Sequence, residues 1–281
     1  DRRPARCSGV VAGLSMNPFL DLLLRAHPQA EPALRPWYDF AQEVALAPKK
    51  VTEPTIGHIR LQWWSDAADE ALDAAAKPRA HPAVTAWSAS LDALDTRPAP
   101  GLVHAMIDAH ALDLEKQPYA DLEALRADAT ARWGNMVRVG LQLLQIRDDS
   151  YHHAANHLGA AFGLAVSLYN VGPEAAQGRQ AHPDFDMPLD RLEPAQRAEA
   201  GRRTLGQAQY HIDRAKELVP KPDPRALPVL RLGLAASALI AAADRVGSDP
   251  VTLPAMSFVA QTFALRMAWA PTGHYANNPN R

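Results

Sequence analysis

The chain has 281 residues, 47% hydrophobic and 21% charged, which is enough apolar material for a sizeable core and excludes a disordered chain. Its net charge of −2, with no basic stripe interleaved by aromatics, argues against nucleic acid as a partner. A lone cysteine, Cys7, excludes an intrachain disulfide framework and a cysteine-built zinc site.

Residues 1–15 read as an extension ahead of a candidate initiator, Met16, in preference to an Arg-rich targeting remnant. Their apolar part, Val10–Leu14, is too short and glycine-interrupted for a secretory signal. Beyond them strand signals are nearly absent, and helical patterns punctuated by proline dominate. Asn17-Pro18 caps and opens a short helix, and Glu31-Pro32 opens a second that Pro48 closes after Ala47. A third spans about Pro54–Ala76, and a fourth begins at His81-Pro82 with Val84, Trp87 and Leu91. Helices follow over about Gly101–Lys116, Asp121–Arg147 and Tyr151–Val171, the last stopped by Gly172-Pro173. Residues 175–192, with Gly178, Pro183 and Pro188, read as the longest loop. Glu193-Pro194 starts a polar helix to Leu218, and Pro220, Pro222 and Pro224 form a stiff linker. Two closing helices take Arg225–Val246 and Thr252–Ala270, and Tyr275–Arg281 reads as a frayed tail. No apolar run approaches the roughly 20 residues that cross a bilayer; the nearest, Leu232–Ala243, reads as a buried core helix. The expectation is one all-α domain of about eight to ten helices over 16–271, with an extension at 1–15 and a tail at 272–281.

The Pro54–Ala76 stretch organises the rest. Ile56, Ile59, Trp63, Ala67 and Ala71 recur at helical spacing, which predicts its buried stripe. Asp66, Asp69, Glu70 and Asp73 recur on another face, with the spacing by which helical carboxylates share Mg²⁺ with a diphosphate. Such a row is more commonly a solvated face, and that reading is preferred. His153 and His157, beside His152, stand one turn apart as metal ligands do, with Glu115, Asp148 or Asp149 as distant completions. Surface or core histidines are the preferred reading there too. Asp184 and Asp186 more commonly turn a loop than bind a cation. No nucleophile elbow and no phosphate-cradling glycine loop is present. Trp63, Trp64, Trp87, Trp133 and Trp269 read as packing, though a prenyl-chain tunnel would use the same residues.

The phrases EPTIGHIRLQWWSDAADEAL, HPAV at His81–Val84, IDAHALDLEKQPYADLEAL from Ile107 and NHLGAAFGL from Asn156 occur in order. Together they resemble the squalene/phytoene synthase superfamily, and within it the branch of respiratory complex I assembly factors and their bacterial relatives. The resemblance implies an all-α isoprenoid-synthase fold with a central cavity. It further implies, for catalytic members, Mg²⁺ and diphosphate held between two aspartate-rich motifs. The first corresponds to the segment after Phe40, Ala41 and Gln42, where this chain has Lys49 and Lys50 and no aspartate. The second falls where Tyr169, Asn170 and Glu174 stand in place of an arginine and two aspartates. Arg60 of the signature phrase and Gly163 of the LGAAFGL run join these as candidate cavity positions.

Two or three Mg²⁺ ions need hard anionic oxygens that Asn170 and Lys49 do not supply. The expected function is therefore a non-catalytic accessory or assembly factor, without a cofactor, that binds a protein partner or an isoprenoid. The alternative is a Mg²⁺-dependent head-to-head prenyl-diphosphate transferase, with Asp66, Asp69, Glu70 and Glu174 as ligands. An acid-lined cleft at Asn170 and Glu174, reached by the Asp66 row, favours the alternative; an apolar or basic cleft favours the first. The Ala- and Arg-rich, Lys-poor composition points to a bacterial protein, cytoplasmic or peripheral to the inner membrane.

Overall fold

Alanine, leucine and arginine fill the chain's periodic stretches and proline opens most of them, so propensity and helix-start chemistry agree. The computed structural model describes residues 18–115, 118–176, 182–185, 188–268 and 274–276, and among these no strand occurs. The expected extension with Cys7 and Met16, the Asn17 cap, Lys116, Gly178, Asp186, Trp269 and the tail beyond Ala276 lie outside the described residues.

The first half comprises α1 (Pro18–Ala26), α2 (Glu31–Leu46), α3 (Pro54–Leu72), α4 (Pro82–Leu91), α5 (Pro100–Ala109) and the single turn α6 (Leu112–Glu115). Helix α7 (Leu122–Ala129), a π-helical turn (Thr130–Gly134) and α8 (Asn135–Leu143) follow without a break. The second half is α9 (Asp149–Ala175), α10 (Pro194–Leu218), α11 (Leu227–Leu230), α12 (Leu232–Asp244) and α13 (Met256–Ala268).

Helix α9 is the axis, packed along α10 and also on α12, α8, α7 and the π turn. Its small residues explain how so many neighbours fit. A Cβ on Gly159 would lie 2.1 Å from the Gly134 backbone nitrogen, so helix and π turn meet backbone to backbone. In the first half the rings of Trp37, Phe40, Trp64 and Trp87 pack as a cluster, stacked, tilted or edge-on, with centroids 4.5–5.9 Å apart. Trp37 Nε1 donates to the Met136 carbonyl at 3.0 Å and pins α2 to α8.

Several expected boundaries move, each for a local reason. Helix α3 stops at Leu72 because Asp73 turns extended and its carboxylate accepts the Ala75 N–H at 2.8 Å. The helix expected over Gly101–Lys116 breaks after Ala109 into α5 and α6. The one expected to Arg147 ends at Leu143, with Gln145 at a φ of 59°. Gly172-Pro173 does not stop α9, which runs to Ala175; a proline this close to the end removes only one backbone hydrogen bond. The Arg225–Val246 stretch is bent by 42° between its two apolar parts. At that bend Arg231 Nε donates to the His274 carbonyl at 3.2 Å. Helix α13 begins at Met256 rather than Thr252. Tyr275 is buried, its hydroxyl 2.9 and 2.7 Å from the Ala215 and Val219 carbonyls, so this part of the expected frayed tail is anchored.

The largest correction concerns α3. Its buried face is Gly57, Leu61, Trp64, Ala68 and Ala71, together with Ala67. Ile56, Ile59 and Trp63 point outward instead. Tertiary contact decided between two equally periodic stripes: Leu114 of α6 presses on Gly57, where a Cβ would sit 2.3 Å away, and Trp64 joins the aromatic cluster. No single described helix is long and apolar enough to cross a membrane; residues 224–230 and 232–244 reach that length only together, across the 42° bend, and α12 is mostly buried.

Two predictions follow from the α9 seams. Gly159→Ala is expected to lose at least about 2 kcal/mol in urea unfolding. Gly206→Ala on α10, where an added Cβ meets nothing within 4 Å, is expected to gain up to about 1 kcal/mol. Across α9 and α10, His157 and His211 face Nδ1 to Nδ1 at 2.7 Å. Burial lowers both pKa values, that of His211 to about 4, while an unfolded imidazole protonates near 6.5. The resulting stabilisation is complete above the unfolded value and is lost as pH falls toward 4. Unfolding free energy is expected to drop by about 2 kcal/mol from His211 alone between pH 7 and pH 5, and His211→Asn to flatten that limb.

Candidate functional site

The cavity is built where α2, the α7–α8 rod and α9 converge. It has two chambers, about 310 and about 290 Å³, whose linings share Arg132, Trp133, Val166 and Asn170. Both lie at the lower edge of the roughly 300–1,000 Å³ usual for small-molecule sites. The first chamber is polar, with Asp113, Tyr119, Asp128, Glu174 and His182. The second is apolar, with Leu20, Tyr38, Leu46, Met106, Met136 and Met256, and its polar members include Gln42, Lys49 and His110.

The π turn carries two consecutive residues, Arg132 and Trp133, that line both chambers. Arg132 is the centre of a buried network. Its Nε donates to Asp128 at 2.9 Å, its Nη1 to Asp113 at 2.9 Å and to His110 Nδ1 at 3.0 Å, and its Nη2 to the Ala109 carbonyl at 2.8 Å. Tyr119 donates its hydroxyl to Asp128 at 2.7 Å. Four of the five guanidinium N–H groups are thus engaged inside the protein. Burial lowers the pKa of His110 and favours its neutral form, so its Nδ1 accepts from Arg132 instead of donating to Asp113, 3.3 Å away. Burial also opposes the charge on Asp113, but the Arg132 guanidinium beside it outweighs that and holds the carboxyl well below the usual carboxylate range. Asp113 and Asp128 against Arg132 leave this cluster one negative charge in excess, already committed to internal hydrogen bonds.

Of the positions singled out in the sequence, Gln42 and Lys49 line the apolar chamber, Gly163 and Glu174 the polar one, and Asn170 both. Phe40 is buried in the aromatic cluster, Tyr169 turns away to donate to the Leu239 carbonyl at 2.9 Å, and Arg60 is exposed on α3. Lys50 pairs with Glu43 at 3.0 Å. The acidic row on α3 lines neither chamber and has partners of its own. Gln62 donates to Asp66 at 2.8 Å, Arg79 grips Glu70 at 2.6 and 2.9 Å, and His104 Nε2 lies 2.7 Å from Asp69. The histidine and loop candidates do not converge either: Glu115 faces His58, Asp148 caps α9, and Asp184 pairs with Arg203.

The cleft is therefore acid-lined, by Asp113 and Asp128, which sequence reasoning missed, and by Glu115 and Glu174, but not by the Asp66 row. The signals available were His110/Asp113 and Asp128/Arg132 at helical spacing, patterns as frequent on exposed helix faces. Whether this donor set fits Mg²⁺ follows from its charges. The ion needs several oxygens in near-octahedral order, with carboxylates whose charge is not already used. Here the two aspartates are spent on Arg132, Asn170 is neutral, and among the described residues no group of three or more His, Cys, Asp or Glu is placed to hold a metal. The residues do not fit a magnesium–diphosphate clamp.

The squalene/phytoene synthase family model matches residues 22–255. Among curated proteins the chain is similar to complex I assembly factor 6 of Mus musculus, 27% identical over 53% of this chain and 43% of that protein. It is similar to the Bos taurus protein of the same name, 27% identical over 46% of this chain and 38% of that one. The chain thus covers less than half the length of these relatives. Among solved structures it is similar to squalene synthase HpnC from Alicyclobacillus acidocaldarius, with a TM-score of 0.70 and 20% identity over 82% of this chain and 89% of that one. A dehydrosqualene synthase solved with a ligand gives a TM-score of 0.68 and 12% identity over 90% of this chain and 92% of that chain. At these identities the two structures show the shared all-α fold.

Removing the guanidinium strands two buried carboxylates. Arg132→Met is expected to cost about 3–5 kcal/mol in urea unfolding, and Asp113→Asn with Asp128→Asn in the same chain to restore more than half of the loss. Because the Asp113 pKa is depressed on folding, its contribution is present above the unfolded value near 3.8 and lost as pH falls below it.

Proposed function

The chain belongs to the squalene/phytoene synthase family, and from that premise we propose that it is an accessory or assembly factor using the family's cavity without metal-clamped diphosphate chemistry. The observation that carries this reading is the Arg132 cluster, in which Asp113 and Asp128 are both hydrogen-bonded to one internal guanidinium. Ionising an allylic diphosphate requires strong stabilisation of the leaving group. Lys49 and the neutral Asn170 offer one positive charge and one amide toward that task. The similarity to complex I assembly factors supplies the process we propose: assembly of a respiratory NADH dehydrogenase complex, from the cytoplasm or the inner-membrane surface of a bacterium.

In this reading the apolar chamber holds a hydrocarbon chain, such as an isoprenoid, among Tyr38, Leu46, Met106 and Met136. The shared wall of Trp133 and Val166 separates that chain from the polar chamber, and Gln42, Lys49 and Asn170 orient an oxygen-bearing end.

One observation favours a second reading, the Mg²⁺-dependent prenyl-diphosphate transferase: Asp113, Glu115, Asp128 and Glu174 all line one chamber. Catalysis there would require Arg132 to leave its aspartates. Incubating the purified protein with Mg²⁺ and farnesyl or geranylgeranyl diphosphate separates the two. The accessory reading expects no diphosphate release and no condensed hydrocarbon above a protein-free blank. Turnover above that blank would establish the transferase instead.

A further inference from the structure

The outward face of α3 is not needed for the fold, since Leu61, Trp64, Ala68 and Ala71 already supply the buried stripe. That face nevertheless carries Ile59 at 64% exposure, Ile56 at 48% and Trp63 at 37%, three of the large hydrophobic side chains left in solvent. At roughly 100° per residue, Ile56, Ile59, Trp63, Asp66 and Glu70 fall within an arc of about 80°. One stripe about 21 Å long therefore changes from apolar at its N-terminal half to acidic at its C-terminal half. We propose that this stripe docks a partner protein that presents an apolar groove ending in cationic side chains. The proposal rests on the accessory-factor reading and names the surface that reading requires.

The spacing of Ile56, Ile59 and Trp63 at i, i+3 and i+7 is that of a helix laid into a groove. Trp63 is held ready for it. The Arg79 guanidinium lies 4.9 Å from the indole centroid while its Nη1 donates to the Trp63 carbonyl at 3.0 Å. Trp64 meets the same indole edge-on at 4.9 Å. A side chain fixed before binding loses little freedom on docking, and Trp and Arg are the residues most enriched at binding hot spots.

Charge selects the class of partner. Asp66 and Glu70 share the arc with the isoleucines; Arg79 is already spent on Glu70, and the exposed Arg60 lies about 40° from Ile56, beside the apolar half and away from the carboxylates. An anionic bilayer would be repelled by that half of the stripe. In an antiparallel pair of α3 helices from two copies, the isoleucines of one would face the carboxylates of the other. A groove apolar at one end and basic at the other satisfies both halves.

The test is photo-crosslinking from p-benzoyl-phenylalanine replacing Ile59 in the full chain, in its own cells, with the same group replacing the exposed Tyr210 on α10 as control. Linked segments are read by mass spectrometry. The expected result is a protein adduct at Ile59 whose linked segment is apolar and flanked by Lys or Arg. Asp66→Lys should cut its yield at least fivefold without lowering the melting temperature. Adducts only to lipid, adducts to a second copy, a yield indifferent to Asp66→Lys, or no adduct above the Tyr210 control would each overturn the proposal. Prenyl-diphosphate turnover by the same preparation bears on the accessory reading alone, whereas loss of the adduct bears on the α3 surface alone.

Discussion

A guanidinium buried between two carboxylates governs this structure, because each of the three charges would be costly to bury without the others. Arg132 reaches Asp128 one turn back on its own rod, Asp113 on α6 and the carbonyl that ends α5. Three segments meeting at the cavity are thus tied by one side chain. Arg132 and the bulky Trp133 both line the cavity from the π turn, and the bare backbones of Gly134 and Gly159 let α9 close over it. Packing, helix irregularity and charge at this point are one arrangement.

The same arrangement sets the chemistry. A carboxylate hydrogen-bonded to an internal arginine has little left to offer a divalent cation, whatever its distance from Asn170 and Glu174. The cavity is thereby divided in its lining, with a polar chamber in which Asp113 and Asp128 are bonded to Arg132 and a more apolar chamber beside it. Outside the cavity, the acidic row on α3 is taken up by Arg79, Gln62 and His104. It lies on the protein's surface, following the exposed isoleucines on the same helix.

Much of the architecture was legible in the residues themselves. Proline and its neighbours marked the starts of α2, α4 and α10 correctly, because a proline in the first turn acts locally and needs no tertiary partner. The phrases carrying the family resemblance gave the all-α fold and pointed to Gln42, Lys49, Asn170 and Glu174, which the fold does bring around one cavity. What stayed hidden depended on contacts distant in sequence. Ile56–Ile59–Trp63 and Gly57–Leu61–Trp64 are equally periodic stripes of one helix, and only Leu114 pressing on Gly57 decides which is buried. Asp113 and Arg132 are 19 residues apart, and neither carries a local mark of burial. The π turn has no strong composition signature, so a rod that reads as uninterrupted helix conceals the irregularity that carries Arg132.

The central claim is that Asp113 and Asp128 are unavailable to a metal, and it can be watched directly. Carboxyl-¹³C NMR of aspartate-labelled protein, assigned through Asp113→Asn and Asp128→Asn, would be followed as MgCl₂ is added in the presence of inorganic pyrophosphate. Their two resonances should stay in place across the titration. Saturable shifts of both, at magnesium concentrations that leave exposed aspartates unmoved, would contradict the account.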